Sequence, residues 1–336
     1  MNISEKKYLA KTFSHIYIEK EAYEYSLTGN ILSAYSDSVV VDIDHYKDVF
    51  NQTHQNFHLQ KEAPALILAV KHGELIYPGA KVCQSFGNDH FYYTSNIMNC
   101  MFDCDYCYLG GMYPSGNIVI FVNQEDIFRR VDELLETHPV YLCISYDTDL
   151  LALENLTGFV KKWTDFTARR PLLKIEIRTK SAYMKGLENF TANKNIIFAW
   201  TLSPDEIINA YEHHTPSLNA RIDAINHAIK CGFTVRLCFD PMIYVPDYRK
   251  IYGRMYQQVF EQIDASKILD VSLGLFRISA EYVKNMRNRK PGPVSYYPYT
   301  NINGVMSYEK EKSGKMLDFA RLEIGKYFNP DLIYEI

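Results

Sequence analysis

Three cysteines within eight residues, Cys100, Cys104 and Cys107 in the run Asn99-Cys100-Met101-Phe102-Asp103-Cys104-Asp105-Tyr106-Cys107-Tyr108, constrain this chain more than anything else in it. A C-x3-C-x2-C spacing gathers three soft thiolates into one tight loop, which suits zinc or an iron–sulfur cluster. A zinc site is normally closed by a fourth Cys or His, and the only near candidate is His90, ahead of the motif. Three ligands on a 4Fe-4S cube leave one iron open to a small molecule. The other cysteines, Cys83, Cys143, Cys231 and Cys238, bring the total to seven. An odd count without paired spacing argues against a disulfide framework and for a reducing compartment. The opening Met1-Asn2-Ile3-Ser4-Glu5-Lys6-Lys7 has no apolar leader behind it, and no run approaches the roughly 18 apolar residues of a membrane span. The expectation is a soluble, cytoplasmic protein.

With 336 residues, 47% of them hydrophobic, the chain can bury a large core in one or two domains. The net charge of −4 gives no general sign of nucleic-acid binding, so any such surface must be a local basic patch. Behind the cysteine loop, strand-like and helix-like stretches alternate. Strands are expected over 91–96, 140–145, 173–179, 196–202, 233–239 and 271–275, and helices over 124–136, 150–166, 218–231 and 246–263. Six strands with intervening helices suit a partial (β/α)6 barrel with its chemistry at the C-terminal strand ends, where the cysteine loop falls. A doubly wound open sheet would give the same alternation.

Strand parity sorts the side chains. Tyr141, Cys143, Ser145 and Asp147 share one face while Leu142, Ile144 and Tyr146 share the other; Lys174, Glu176, Arg178 and Lys180 oppose Leu173, Ile175 and Ile177; Thr234, Arg236, Cys238 and Asp240 oppose Val235, Leu237 and Phe239. The apolar faces belong against helices, so the polar sets are expected inside the barrel. The other reading is one solvated face of an open sheet, which parallel sheets seldom leave uncovered.

The cysteine triplet with Tyr106 before its third member resembles the radical S-adenosylmethionine superfamily. More specifically, Cys104-Asp105-Tyr106-Cys107-Tyr108-Leu109 resembles the cluster loop of the spore photoproduct lyase family. Further likenesses follow in order: Val122-Asn123-Gln124-Glu125-Asp126-Ile127-Phe128, the Thr179-Lys180 pair, Ile208-Asn209-Ala210-Tyr211-Glu212 with Thr215, Ser217 and Arg221, and Ile324-Gly325-Lys326-Tyr327-Phe328. They run from about residue 90 to the C-terminus, and residues 1–85 carry little that can be placed.

The resemblance implies a TIM-type radical S-adenosylmethionine barrel over 89–280, an N-terminal region 1–88 packed on it, and a C-terminal substrate and DNA-binding extension, 281–336. It implies a 4Fe-4S cluster on Cys100, Cys104 and Cys107 that reduces S-adenosylmethionine to a 5′-deoxyadenosyl radical. The electron would come from a reductant such as flavodoxin or ferredoxin. The radical would revert the UV lesion 5-thyminyl-5,6-dihydrothymine to two thymines, in the cytoplasm or spore core, with a thiol returning the hydrogen.

Cys143 is the expected donor, with Tyr106 and Tyr108 as relay. The family's acidic slot can instead be found by counting back from Leu156-Thr157, which puts Asp149 in that slot and Tyr146 in the cysteine position. Ser145, Asp147, Lys180 and Ser203 are the expected cofactor contacts. Arg287, Arg289 and Lys290, with Tyr296, Tyr297 and Tyr299, form a basic run beside aromatics of the kind that holds phosphates and covers bases, although such runs usually only face solvent. The competing readings are a radical enzyme of the same family with another substrate, or a structural metal in a nucleic-acid-binding module.

Overall fold

The computed structural model describes residues 13–80 and 83–336, so the charged start Met1–Lys7 lies outside it. Chain order gives β1 (His15–Glu19), β2 (Val39–Ile43), β3 (Leu66–Ala69), β4 (Tyr77–Pro78), β5 (Phe91–Tyr93), β6 (Ile97–Met98), β7 (Asp103–Cys104), β8 (Ile118–Phe121) and β9 (Val140–Cys143). Then come β10 (Leu173–Thr179), β11 (Ile196–Thr201), β12 (Glu212–His213), β13 (Thr234–Met242) and β14 (Ile268–Leu275). The last four are β15 (Arg277–Ser279), β16 (Thr300–Ile302), β17 (Val305–Ser307) and β18 (Ile333–Glu335).

The larger sheet runs β18-β14-β13-β11-β10-β9-β5-β4. From β5 to β14 its members are parallel neighbours in strict chain order. A doubly wound sheet reverses its strand order at a switch point. Here nothing reverses, so the architecture is the singly wound partial barrel. β18 extends one end in parallel and β4 the other in antiparallel. Among the described residues no pairing joins those two ends. The helix Gln124–Leu135 packs on β9, Phe159–Ala168 on β10, Leu218–Lys230 on β13 and Lys310–Ile324 on β14. Leu142, Ile144, Ile175, Ile177, Phe198, Trp200, Val235, Leu237 and Leu273 are buried in the hydrophobic core.

The expected elements differ from the observed ones where the chain changes sheets. The strand read over 91–96 stops at Tyr93. Ile97 and Met98 cross instead to β8, in a second sheet ordered β2-β1-β3-β8-β6. The N-terminal strands thus share a sheet with Ile118–Phe121. The helix read over 150–166 is interrupted at Gly158, whose φ of 63° is the left-handed conformation glycine tolerates. The buried Glu154 carboxylate accepts the amide protons of Val160 (2.7 Å) and Lys161 (3.0 Å), satisfying the first turn of the helix that follows.

Register confirms the polar interior. Cys143 lies opposite Glu176, and Arg236 opposite both Ala199 and Asp270. Arg236 reaches Glu176, the Tyr141 hydroxyl at 2.8 Å and Asp270 at 2.8 Å, while its guanidinium lies 3.2 Å from the centre of the Phe86 ring. Arg178 bonds Asp240 at 3.1 Å and Glu176 at 3.3 Å.

Breaking such a network by removing one partner leaves charge buried and unpaired. Arg236→Ala is expected to cost about 3–5 kcal/mol, read as a lowered urea midpoint. Burial alone would raise the Glu176 carboxyl, but Arg236 and Arg178 hold it below the ordinary glutamate value. A depressed folded-state pKa gives stability that is full above the unfolded value and lost as pH falls through the folded one. Glu176→Gln should therefore flatten the acid limb of the wild-type stability curve.

Candidate active site at the cysteine loop

The cysteine loop is held at four places. At its start Asn99 adopts a left-handed φ of 67°, and its side-chain amide donates to the carbonyls of Ser115 (2.7 Å) and Asn117 (2.6 Å). From the N-terminal region, the Lys61 ammonium donates to the carbonyls of Cys100 (2.6 Å) and Phe102 (3.1 Å). In the middle, β7 pairs antiparallel with β12, setting Cys104 opposite Glu212. From the C-terminal extension, Lys290 donates to the Asp103 carbonyl (2.9 Å) and carboxylate (2.6 Å).

Behind the loop sits a buried carboxylate. Glu212 accepts from the hydroxyls of Tyr106 and Ser203, the latter at 2.7 Å, and from the Arg221 guanidinium. Arg221 also donates to the carbonyls of Thr201 (3.0 Å) and Pro216 (3.1 Å). Burial works against the charged form of Glu212, yet Arg221 and Lys180 bring it down to about 2. The Lys180 ammonium lies over the Tyr106 ring at 5.3 Å. Burial disfavours its charge, but the neighbouring Cys104 and Glu212 raise its pKa above the usual lysine value.

Cys100, Cys104 and Cys107 are free thiols that line one cavity with Phe57, Lys61 and Lys290. Among the described residues no three His, Cys, Asp or Glu side chains come close enough to share one metal ion. Thiols spread around a cavity fit a cluster, in which each thiolate takes its own iron. Burial pushes the Cys100 thiol up to about 12 and Cys104 higher still, so a bound metal must displace their protons. His90 packs against His138, ring centres 3.9 Å apart, just ahead of the starts of β5 and β9 and away from this loop.

The end of β9 corrects the parity reading. The strand stops at Cys143, so alternation does not carry through to Asp147. Cys143 itself faces the interior and is 7% exposed. Ser145 accepts the Arg178 amide proton at 2.6 Å, Asp147 accepts from Ser95, and Asp149 accepts from Thr179 (2.8 Å) and the Lys180 amide (2.6 Å). Tyr146 does not point away. Its ring stacks on Tyr93 at 4.1 Å and its hydroxyl lies 3.8 Å from the Cys83 sulfur. Its carbonyl accepts the Tyr108 hydroxyl at 2.6 Å. Tyr106 and Tyr108 thus engage different walls, at Glu212 and Tyr146.

The basic run is not a free patch. Arg289 donates to the carbonyls of Gly111 (3.0 Å) and Tyr113 (2.9 Å), and Lys290 is committed to Asp103. A Cβ on Gly111 would sit 2.5 Å from the Tyr282 carbonyl oxygen, so only glycine lets the helix Ala280–Arg289 approach this closely. Tyr297 and Tyr299 pack together at 4.9 Å with Tyr308. Tyr296 is exposed, while the half-buried Arg287 donates to the Ser295 carbonyl at 2.9 Å with its guanidinium 5.8 Å from the Tyr296 ring centre.

A family model for spore photoproduct lyase matches residues 12–331. The chain belongs to the spore photoproduct lyase family. Spore photoproduct lyase of Clostridium acetobutylicum is 22% identical over a 346-residue alignment covering 94% of this chain and 96% of that one. The enzyme of Bacillus subtilis is 26% identical over 235 residues, 68% of this chain and 65% of that one. A spore photoproduct lyase complexed with dinucleoside spore photoproduct superposes with a TM-score of 0.80 at 18% identity, covering 96% of this chain and 98% of that chain. A double mutant with bound AdoMet and the dinucleoside gives 0.79 at 19% identity, covering 97% and 99%.

In sequence Glu212 and Arg221 are only members of a motif; the fold makes them the brace behind Tyr106. Lys61 had no sequence signal at all. Residues that orient metal ligands through hydrogen bonds commonly change metal affinity 10–100-fold when removed. Lys290→Met is expected to weaken iron retention by about tenfold on that basis. The check is iron and sulfide per chain under chelator challenge, with circular dichroism unchanged.

Proposed function

We infer that this chain reverts 5-thyminyl-5,6-dihydrothymine in UV-damaged DNA to two thymines, using S-adenosylmethionine at a 4Fe-4S cluster. The carrying observation is the braced three-cysteine loop at the C-terminal strand ends of a fold that the family model spans almost completely. When bound, cluster and cofactor supply hydrogen-atom abstraction.

The protein's part is to hold and orient. Cys100, Cys104 and Cys107 take three irons and leave one for the cofactor. Lys180, kept charged beside the loop, is suited to the cofactor carboxylate. Ser203 and Ser145 are already bonded to Glu212 and the Arg178 amide, so only their unused hydroxyl valences are left. Asp147, already engaged by the hydroxyls of Ser95 and Tyr113, offers a buried carboxylate to an amino or hydroxyl group. Arg287 and Tyr296 supply a cation and an exposed ring for the lesion strand. The barrel, 89–280, would carry the chemistry, residues 281–336 the lesion side, and residues 1–88 a buttress for the loop. A one-electron reductant of the ferredoxin or flavodoxin class completes the system in the cytoplasm or spore core. None of the described helices is long and apolar enough to cross a membrane.

The test is anaerobic cluster reconstitution followed by dithionite, S-adenosylmethionine and a synthetic spore photoproduct dinucleoside. Thymidylyl-thymidine is the expected product. Formation of 5′-deoxyadenosine without it would assign the chain another substrate. Lys180→Ala should weaken S-adenosylmethionine binding by about 10–100-fold, the worth of one charge-assisted hydrogen bond, with cluster absorbance intact.

A further inference from the structure

Above the filled floor of the barrel lies a second row of charges that is only partly covered. Toward the C-terminal strand ends, the interior positions run from Glu176 to Arg178 on β10 and from Arg236 through Cys238 to Asp240 on β13. Arg236, Glu176 and Asp270 are buried, whereas the Arg178 side chain is 30% exposed and that of Arg277, just past the end of β14, is 27% exposed. Exposure therefore rises toward the face that carries the cysteine loop.

Asp240 joins the two arginines of the upper row. One of its oxygens accepts from Arg178 Nη1 at 3.1 Å, and the other lies 3.5 Å from Arg277 Nη1. Arg178 turns its Nε to Glu176 at 3.3 Å, which leaves Nη2 without an acceptor among the described residues. A Cβ on Gly274 would come within 2.8 Å of Asp240 Oδ1 and 3.1 Å of Arg277 Nη1, so β14 passes this row only because it has no side chain there.

Stability is weak grounds for such a row, since desolvating ion pairs offsets much of what their attraction returns. Nor do the charges leave a surplus: Arg178, Arg236 and Arg277 balance Glu176, Asp240 and Asp270 one for one. A balanced set does not call for a phosphate or a carboxylate; it offers hydrogen bonds to a neutral group. In order across the barrel wall the row is donor, acceptor, donor: guanidinium, carboxylate, guanidinium. The imide edge of a thymine ring is the complement, a carbonyl, an N3–H and a second carbonyl. Cytosine breaks the match twice, with an acceptor at N3 facing the carboxylate and an amino donor facing a guanidinium. Bases taken out of a duplex are commonly read on this edge.

We propose that Arg178, Asp240 and Arg277 read the imide edge of one thymine ring of the lesion, Asp240 accepting from N3–H and Arg178 donating through Nη2 to a carbonyl oxygen. The proposal rests on the lesion-reversal function inferred above. Thymine specificity then comes from the barrel wall, apart from the contacts at Arg287 and Tyr296.

Arg178→Leu tests it with least damage, because Glu176 keeps Arg236 and Asp240 keeps Arg277. Affinity is read by isothermal titration of the reconstituted full chain with S-adenosylmethionine and no reductant, so that nothing turns over. The lesion is supplied both as the dinucleoside and as the phosphate-bridged dinucleotide. Losing one hydrogen bond from a charged group should weaken both by about 10–100-fold, with iron content and S-adenosylmethionine affinity unchanged. Undiminished affinity, or a loss confined to the dinucleotide, which would mean a phosphate contact, overturns the proposal. A second measurement needs no variant: methylating N3 of both rings of the dinucleoside should weaken binding to the wild type by about tenfold or more, and methylation without effect overturns the proposal. Wild type that binds and repairs the unmodified lesion upholds the function whichever way these come out. Wild type that does neither overturns the function and this proposal with it.

Discussion

One buried carboxylate ties the cysteine loop to the barrel. Glu212 pairs its backbone with Cys104, and its side chain gathers Tyr106, Ser203 and Arg221. Because Arg221 spans onward to the carbonyl of Thr201 at the end of β11, a displacement of the loop would strip partners from two buried charges at once. That is costly where water cannot substitute, so the loop that carries the three thiols is held in one arrangement by the fold itself. Lys61 and Lys290 act on the same loop from outside the barrel, and with them the two terminal regions become parts of the site.

The barrel interior shows the same economy at the other strand ends. A stability-driven barrel would stack branched apolar side chains there. This one places Arg236, Glu176, Asp270 and Tyr141 in a satisfied network and seats Phe86 against the guanidinium. Desolvating those charges offsets much of what their attraction returns, so stability is weak grounds for keeping them. The network fixes the floor of a chamber whose upper wall must remain open to a cofactor and a dinucleotide.

Much of this was legible in the sequence, because it depended on local periodicity. Strand β10 falls where the alternation of Leu173 to Thr179 puts it, and the helices 124–135 and 218–230 match their apolar spacing closely. The polar interior followed from parity alone. Parity failed three residues beyond Cys143, since a rule for strands says nothing about Tyr146 once the strand has ended. The site was legible as cysteines but not as braces: Lys61 and Lys290 look like surface lysines in one dimension, and only the fold brings Cys100 and Asp103 to them. Ser203 was read as a cofactor contact for a similar reason, with Glu212 nine residues away and invisible to strand parity.

The fate of the basic run bears on how damaged DNA would be recognised. Sequence offered Arg287, Arg289 and Lys290 as phosphate contacts, and the fold spends the last two on the cysteine loop and its flanking turn. With a net charge of −4, little positive potential is left to draw in a duplex from a distance. Non-specific affinity scales with the number of phosphates neutralised, so it should be modest here. Discrimination then falls to what differs between a lesion and a normal step: two thymines joined by a bond, already poorly stacked, and so cheaper to extrude than intact bases. The helix that carries Arg287 and Arg289, with the following Lys290, touches the cysteine loop and its flanking turn. A strand engaged at Arg287 and Tyr296, as proposed, would press on the element that holds the cysteine loop, and recognition and chemistry would then be mechanically continuous.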